Sequence, residues 1–335
     1  MATLLPVYYT ATHRAHDPAA HPEQPDRIEA LLGAAEAFGV TVCAPDDFGL
    51  EPIGAVHSPE LLALLQTAYK RFAQLKEGPR PAIPDTFAVG ESSGRVSSNI
   101  WALLGRHCTD SLTPILPGTW DAAYWSAQTA LSAARALHEG APLVYALCRP
   151  PGHHAYCDLY GGYCYLNNAA IAAHWLTALG RRPAIVDVDY HHGNGTQAIF
   201  YDRADVFFCS LHANPQEEYP YYAGYPEEMG SGEGEGCTLN VPLSLDTAET
   251  AYLRALTWAL EAVDSSAPDI LIVSLGFDTL SGDPHGGMRL SPEGFRPIGR
   301  SLAALRRPVL LVQEGGYLVS ALPAAALALL EGLTT

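Results

Sequence analysis

The sequence predicts an α/β fold, a parallel sheet covered by helices on both faces, and three features carry that prediction. Short, near-continuous apolar runs alternate with stretches of helical period, which is how strands buried on both sides read. Titratable residues gather directly after those runs, where open parallel sheets hold their ligands. A chain of 335 residues with 48% hydrophobic content can fill the core of one large α/β unit. No internal repeat or composition break divides it, so a single domain over 1–335 is expected.

Ile28, Leu31, Leu32, Ala35 and Phe38 fall at helical spacing. Ser58-Pro59 reads as an N-cap with proline at the first helical position before Leu61 to Leu65. A long helical run from Thr119 reaches Gly140, and the apolar stretch Leu143 to Cys148 after it reads as a buried strand. The alternation then continues: helix near Asn168 to Leu179 closed by Gly180, strands Ala184 to Val188 and Val206 to Leu211, helix near Ala248 to Val263, strand Ile270 to Leu275, helix near Glu293 to Leu305, strand Val309 to Gln313. Two stretches break the rhythm. Residues from about Lys76 to Leu116 form an inserted excursion rich in Gly, Pro and Ser, and Asn214 to Gly236 carries YPYYAGYPEEMGSGEGEG. Loops of this length in a compact domain are binding or interface elements.

Nineteen basic against 36 acidic residues give a net charge of −17, which argues against nucleic acid as a partner and suits a cationic substrate. No apolar run of spanning length and no secretion signal is present, so no membrane partner and a cytoplasmic location are expected. The seven cysteines are scattered singly with no CxxC pair, which disfavours a disulfide framework or a thiolate zinc site.

Four predicted strands deliver titratable groups to one sheet edge. Leu143 to Cys148 runs into Arg149-Pro-Pro-Gly-His153-His154, Ala184 to Val188 into Asp189-Tyr-His191, Ile270 to Leu275 into Gly-Phe-Asp278, and Val309 to Gln313 into Glu-Gly-Gly-Tyr317. Asp189, His191 and Asp278 offer three ligands and leave a position open, the arrangement of a catalytic zinc. Such a metal lowers the pKa of a bound water and polarises a carbonyl, as amide hydrolysis at neutral pH requires. The adjacent His153 and His154 each need a partner, and Asp187 and Asn194 are the nearby candidates; a histidine so partnered can move the proton. Tyr317 follows two glycines that let its hydroxyl approach the metal and donate to an oxyanion. A lone Asp-x-His after a strand is more often a cap or a buried polar pair, but four strand ends converging on one chemistry favour the functional reading.

RPPGHHA, GGYCYLNNAAIAA, VDVDYHHGNGTQAIFY, SLH, GFDTLSGDP and QEGGY, with HPEQPDRI at His21 to Ile28, resemble the histone deacetylase superfamily. Within it, the run from about Pro117 to Tyr317 is most similar to bacterial acetylpolyamine amidohydrolases and class II deacetylases. The resemblance implies the arginase-deacetylase fold, an eight-stranded parallel sheet between helix layers. It places the zinc ligands (ferrous iron shares such sets) on Asp189, His191 and Asp278, the general base on His154, the second histidine on His153 and the transition-state tyrosine on Tyr317. It also implies a potassium ion held by Asp187, Asp189, His191, Ser210 and the backbone of Leu211, and a second such site near Phe200, Arg203 and Val206. Gly162, Tyr163 and Tyr219 match the family's substrate channel.

Three departures bear on the substrate. His285 stands just after GDP, where a polyamine-selective member has an acidic gatekeeper, and a neutral imidazole would not attract a polyamine. Trp101 and Leu112 fall near the positions where the excursion of bacterial polyamine enzymes is acidic; Glu91 and Asp110 substitute only if the loop folds differently. Asn194 stands where class I enzymes carry an aspartate, and the change removes a charge that raises the imidazole pKa. The expected substrate is an acetylpolyamine or acyl-lysine, with another small N-acyl metabolite or non-catalytic acyl binding as alternatives. A homodimer through the 76–116 loop is expected; the apolar run Ile100 to Leu104 fits a buried interface or core packing equally. The binuclear manganese ureohydrolases of the same fold need a carboxylate four residues after Asp189, where this chain has Gly193.

Overall fold

The computed structural model of the chain describes residues 5–75, 80–89 and 97–335; the first residues of the excursion and Glu91 lie outside the described residues. Five of the apolar runs form strands where the period places them: β3 (Leu143–Ala146), β4 (Pro183–Asp187), β5 (Phe207–Ala213), β7 (Ile270–Leu275) and β8 (Val309–Gln313). Three further strands join them, β1 (Pro6–Tyr8), β2 (Thr41–Cys43) and β6 (Thr238–Leu243). Among the described residues these make one eight-stranded sheet in the order β2-β1-β3-β8-β7-β4-β5-β6, and every pairing is parallel.

The runs are apolar at nearly every position because the two sheet faces are both covered. On β8, Leu310 and Val312 point into the core made with helices Pro59–Phe72, Thr119–His138 and Asn168–Ala178. Val309 and Leu311 point the other way, into the core made with helices Asp26–Phe38, Glu249–Ser265, Phe295–Ala304 and Leu322–Thr334. Successive side chains of a strand alternate between faces, so each face requires its own apolar set. The expected cap at Ser58 is present, its hydroxyl accepting the Leu61 N–H at 3.2 Å.

The tail of the excursion folds as helix Ile100–His107. Ile100 and Leu104 sit in the same core as helix Pro59–Phe72, and Trp101 packs edge-on against Phe72 with ring centroids 4.8 Å apart. Core packing within this chain therefore accounts for the apolar run, with Trp101 packed on Phe72. All seven cysteines are free. No helix of the described residues is long and apolar enough to cross a membrane.

Candidate active site

The strands β3, β8, β7 and β4 are consecutive in the sheet, so the four chemistry-bearing segments that follow them converge although they are far apart in sequence. Backbone amides lock the acidic groups there. Asp187, the last residue of β4, accepts the Asp189 N–H on one oxygen at 3.1 Å and the His153 Nδ1–H on the other at 3.0 Å. Asp189 accepts the N–H of His191 at 2.9 Å and of Gly315 at 2.8 Å. Asp278 accepts the Tyr190 N–H at 2.9 Å and lies 3.2 Å from His191 Nδ1. A Cβ on Gly315 would stand 2.5 Å from Asp278 and 2.6 Å from Asp189, so only glycine lets the loop after β8 close over the pair.

One ligand atom each from Asp189, His191 and Asp278 lies within 4.8 Å of the others. Two carboxylates buried this close are costly without a cation. Burial and the charge of Asp189 push Asp278 up to about 7. Burial opposes, but the two carboxylates raise His191 to about 10. Two carboxylates and an imidazole around an open position fit a zinc or ferrous ion. His153, Cys164 and Glu314 also approach within 4.8 Å of one another, yet they do not make a metal site. Glu314 is occupied by the N–H groups of Gly152 and His153, and His153 Nδ1 is committed to Asp187.

The paired histidines receive the partners expected of them and are driven in opposite directions. Burial would lower His153, but Asp187 and Asp189 outweigh it and raise it to about 10. His154 donates from Nδ1 to Asn194 Oδ1 at 2.6 Å, and burial followed by the positive fields of His153 and His191 holds it well below its ordinary value. The carboxylates beside His153 thus favour its charged form, while the surroundings of His154 favour its neutral form.

His154 and His191 line a cavity of about 560 Å³ whose walls include Gly162, Tyr163, Tyr219, His285 and Tyr317. Tyr219 stands edge-on to His154 with centroids 4.9 Å apart, and His285 packs against Tyr317 at 5.0 Å. Gly162 has φ +56, and a Cβ there would lie 2.3 Å from the His154 ring, which is why the channel narrows on a glycine. Tyr317 is held from two sides. Its N–H and that of Leu318 donate to the buried Asp283 at 2.6 and 2.9 Å, and the Arg27 guanidinium lies 4.7 Å over its ring. Arg27 in turn donates to the carbonyls of Glu314 and Gly316 at 2.6 and 2.5 Å and pairs with Glu23 at 2.8 Å. Burial keeps the Tyr317 hydroxyl protonated far above neutral pH.

Of the residues expected from the sequence, His154, His191, Tyr317, Gly162, Tyr163, Tyr219 and His285 line one cavity, and Asp189 and Asp278 lie beside His191 while His153 stacks on His154. Ser210 pairs in register with Asp187 beneath it, with Leu211 next on β5. Its hydroxyl lies 2.8 Å from His212 Nδ1, and His212 Nε2 lies 2.9 Å from the Gly224 carbonyl. A neutral His212 that donates to Gly224 therefore accepts the Ser210 proton and leaves the oxygen lone pairs free for a cation. Phe200, Arg203 and Val206 sit at the turn after helix Asn194–Phe200, outside the channel walls.

The excursion enters the site in a way its sequence does not announce. Asp110 and Leu112 line the cavity, and Asp110 accepts the Gly162 N–H at 2.6 Å, the Leu112 N–H at 2.7 Å and the Thr113 hydroxyl at 3.1 Å. Asp110, expected to take part only if the loop folds differently, therefore belongs to the channel. Glu218 and Tyr190 also line it and were missed; the signal for Glu218 was its place beside Tyr219. Arg27 stands in the HPEQPDRI segment, and no local pattern tells that it reaches Tyr317.

Comparison with known proteins agrees with this geometry. The histone deacetylase domain family matches residues 21–333. The acetylpolyamine amidohydrolase of Burkholderia pseudomallei (strain 1710b) is 44% identical over 304 residues, covering 91% of this chain and 89% of that protein. That of Mycoplana ramosa is 43% identical over 298 residues, 88% of this chain and 87% of that one. A crystal structure of acetylpolyamine aminohydrolase from Burkholderia pseudomallei superposes with a TM-score of 0.95 at 41% identity, over 99% of both chains. With the eight-stranded parallel sheet and the site at its edge, these likenesses show that the chain belongs to the histone deacetylase family and is a deacetylase of the arginase-deacetylase fold.

Proposed function

We propose that the chain is a zinc-dependent amidohydrolase that removes the acetyl group from a small cationic amine of the acetylpolyamine class. The observation that carries the reading is the Asp189, His191 and Asp278 trio set at the base of an aromatic channel, beside His153 held against Asp187 and His154 held against Asn194. Asp189, His191 and Asp278 are the residues that would hold the metal, which would supply Lewis acidity toward the amide carbonyl and the attacking water. Asn194 orients the general base. Its amide nitrogen donates to the Tyr156 hydroxyl at 3.0 Å, so its oxygen faces His154 and fixes the proton on Nδ1. The lone pair on Nε2 then takes a proton from water and returns it to the leaving amine. Tyr317, protonated, donates to the oxyanion as the carbonyl becomes tetrahedral, and His153, paired with Asp187, keeps positive charge beside it. Asp187, Asp189, His191, Ser210 and the backbone of Leu211 are the groups that would hold a potassium ion.

The names of the relatives and the absence of Lys and Arg from the channel walls among the described residues support the small-amine substrate. His285 supports a second reading, acyl-lysine. Burial keeps its imidazole below the usual value and hence neutral at pH 7, which removes one acidic attractor for a polyamine. The deciding measurement compares kcat/KM for acetylputrescine, acetylspermidine and an acetyl-lysine peptide. The polyamine reading expects the two small amines to exceed the peptide at least tenfold, and a preference for the peptide overturns it.

A further inference from the structure

We propose that Glu218 is the specificity-determining carboxylate of the channel, accepting the free ammonium of a monoacetylated diamine or polyamine whose amide lies at the metal trio; this rests on the small-amine reading above. The positions at which the sequence leads one to look for that charge do not supply it. His285 is an imidazole, Leu112 is apolar and Trp101 is packed on Phe72. Of the acidic side chains that line the cavity, Asp110 is spent on structure, since its two oxygens already serve Gly162, Leu112 and Thr113.

Glu218 differs. One of its oxygens accepts the Tyr190 hydroxyl at 3.2 Å and the other the N–H of Tyr219 at 2.9 Å. Each carboxylate oxygen has two acceptor positions, so one remains on each. The group is also well anchored. Tyr190 is buried, its N–H bonds to Asp278 and its ring stands edge-on to His191 at 4.9 Å. The carboxylate therefore hangs from the residue between two ligands of the trio and is fixed relative to the reacting amide. Gly287 keeps that side of the channel open, because a Cβ there would lie 2.9 Å from the Tyr190 hydroxyl and 3.0 Å from the Leu245 carbonyl.

A linear acetylated diamine fits these surfaces in order. Its amide sits by His154 and Tyr317, its methylenes run along Tyr163, Tyr219 and Leu245, and its ammonium reaches Glu218 with no Lys or Arg among the described channel residues to compete. An ammonium leaves water only for a charge or a set of acceptors, and fixed opposite charge in a partly enclosed cleft supplies both attraction and steering. The acidic attractor thus comes from the loop of residues 214–236 rather than from the excursion or from position 285.

The test compares kcat/KM of the zinc-loaded protein for acetylputrescine and for N-pentylacetamide, a neutral amide of the same length. Native protein is expected to favour the cationic amide at least tenfold. Glu218→Gln is expected to lower that ratio tenfold or more, chiefly through KM for acetylputrescine. Tyr190→Phe, which removes the hydroxyl that holds Glu218, lowers it less and in the same direction, and Glu218→Asp recovers part of it. A ratio in Glu218→Gln within twofold of native, while native protein still prefers acetylputrescine, overturns the role of Glu218 alone. Native protein that cleaves an acetyl-lysine peptide and neither small amide overturns the substrate reading, and this proposal with it.

Discussion

Asn194 lies between His154 at 2.6 Å and the Tyr156 hydroxyl at 3.0 Å, and this pair of hydrogen bonds decides which imidazole nitrogen is free to act. Tyr317 depends on contacts of the same kind, with Asp283 on its backbone and Arg27 over its ring. In the proposed reaction its hydroxyl bonds most strongly to the developing oxyanion, so its loss falls on kcat rather than on binding. Tyr317→Phe is expected to lower kcat by about 10²- to 10³-fold, a magnitude taken from other oxyanion donors, with the metal retained and KM little moved. Full turnover in that variant removes Tyr317 from the chemistry. The residues that act at the floor were legible because each stands directly after an apolar run, where strand direction alone aims it. Glu218, Asp110 and Arg27 were not, because they arrive from loops and a helix whose paths no periodicity specifies.

Buried histidines hold these loops to the elements beneath them. His57 donates from Nδ1 to the Tyr156 carbonyl at 2.9 Å and accepts the Asn167 N–H on Nε2 at 2.9 Å. It thereby ties both sides of the channel segment between β3 and helix Asn168–Ala178. Protonating Nε2 would set two N–H groups against each other, and burial lowers His57 to about 4. His13 and His212 are lowered, by burial first, to about 4 and His16 to about 3. The folded pKa lies below the unfolded one of about 6.5. Above that pH neither state is protonated and stability is whole; as pH falls from about 6.5 toward 4, only the unfolded chain gains protons and stability drains away. Unfolding free energy measured between pH 6 and 4.5 should fall with acid, and His57→Gln should reduce the slope by up to about 1.4 kcal/mol per pH unit, one proton's worth. An unaltered slope in His57→Gln contradicts that role for His57. At this scale the long central strands and the helices that cover them follow from apolar period. The strands Pro6–Tyr8 and Thr41–Cys43 are too short to display one, and Thr238–Leu243 emerges from a long Gly-rich loop that masks its start.

For the whole molecule the strand order matters most, because β3, β8, β7 and β4 become neighbours only when the sheet is assembled. Periodicity predicts strands but not their order, and the resemblance implied only an eight-stranded parallel sheet; the order itself is seen in the assembled sheet. A net charge of −17 surrounds a channel whose described walls carry carboxylates and no Lys or Arg, which suits attraction of a cationic amine at a rate that falls with salt. In the proposed reaction Asp189, His191 and Asp278 form one metal centre on which hydrolysis depends. The most direct measurement is the metal content of purified protein together with acetylputrescine turnover before chelation, after it, and after zinc is restored. The expected result is about one divalent ion per chain, activity lost with the ion and regained with zinc, and neither metal nor activity in Asp278→Ala. Full turnover by metal-free protein, or stoichiometric metal retained in Asp278→Ala, would contradict it.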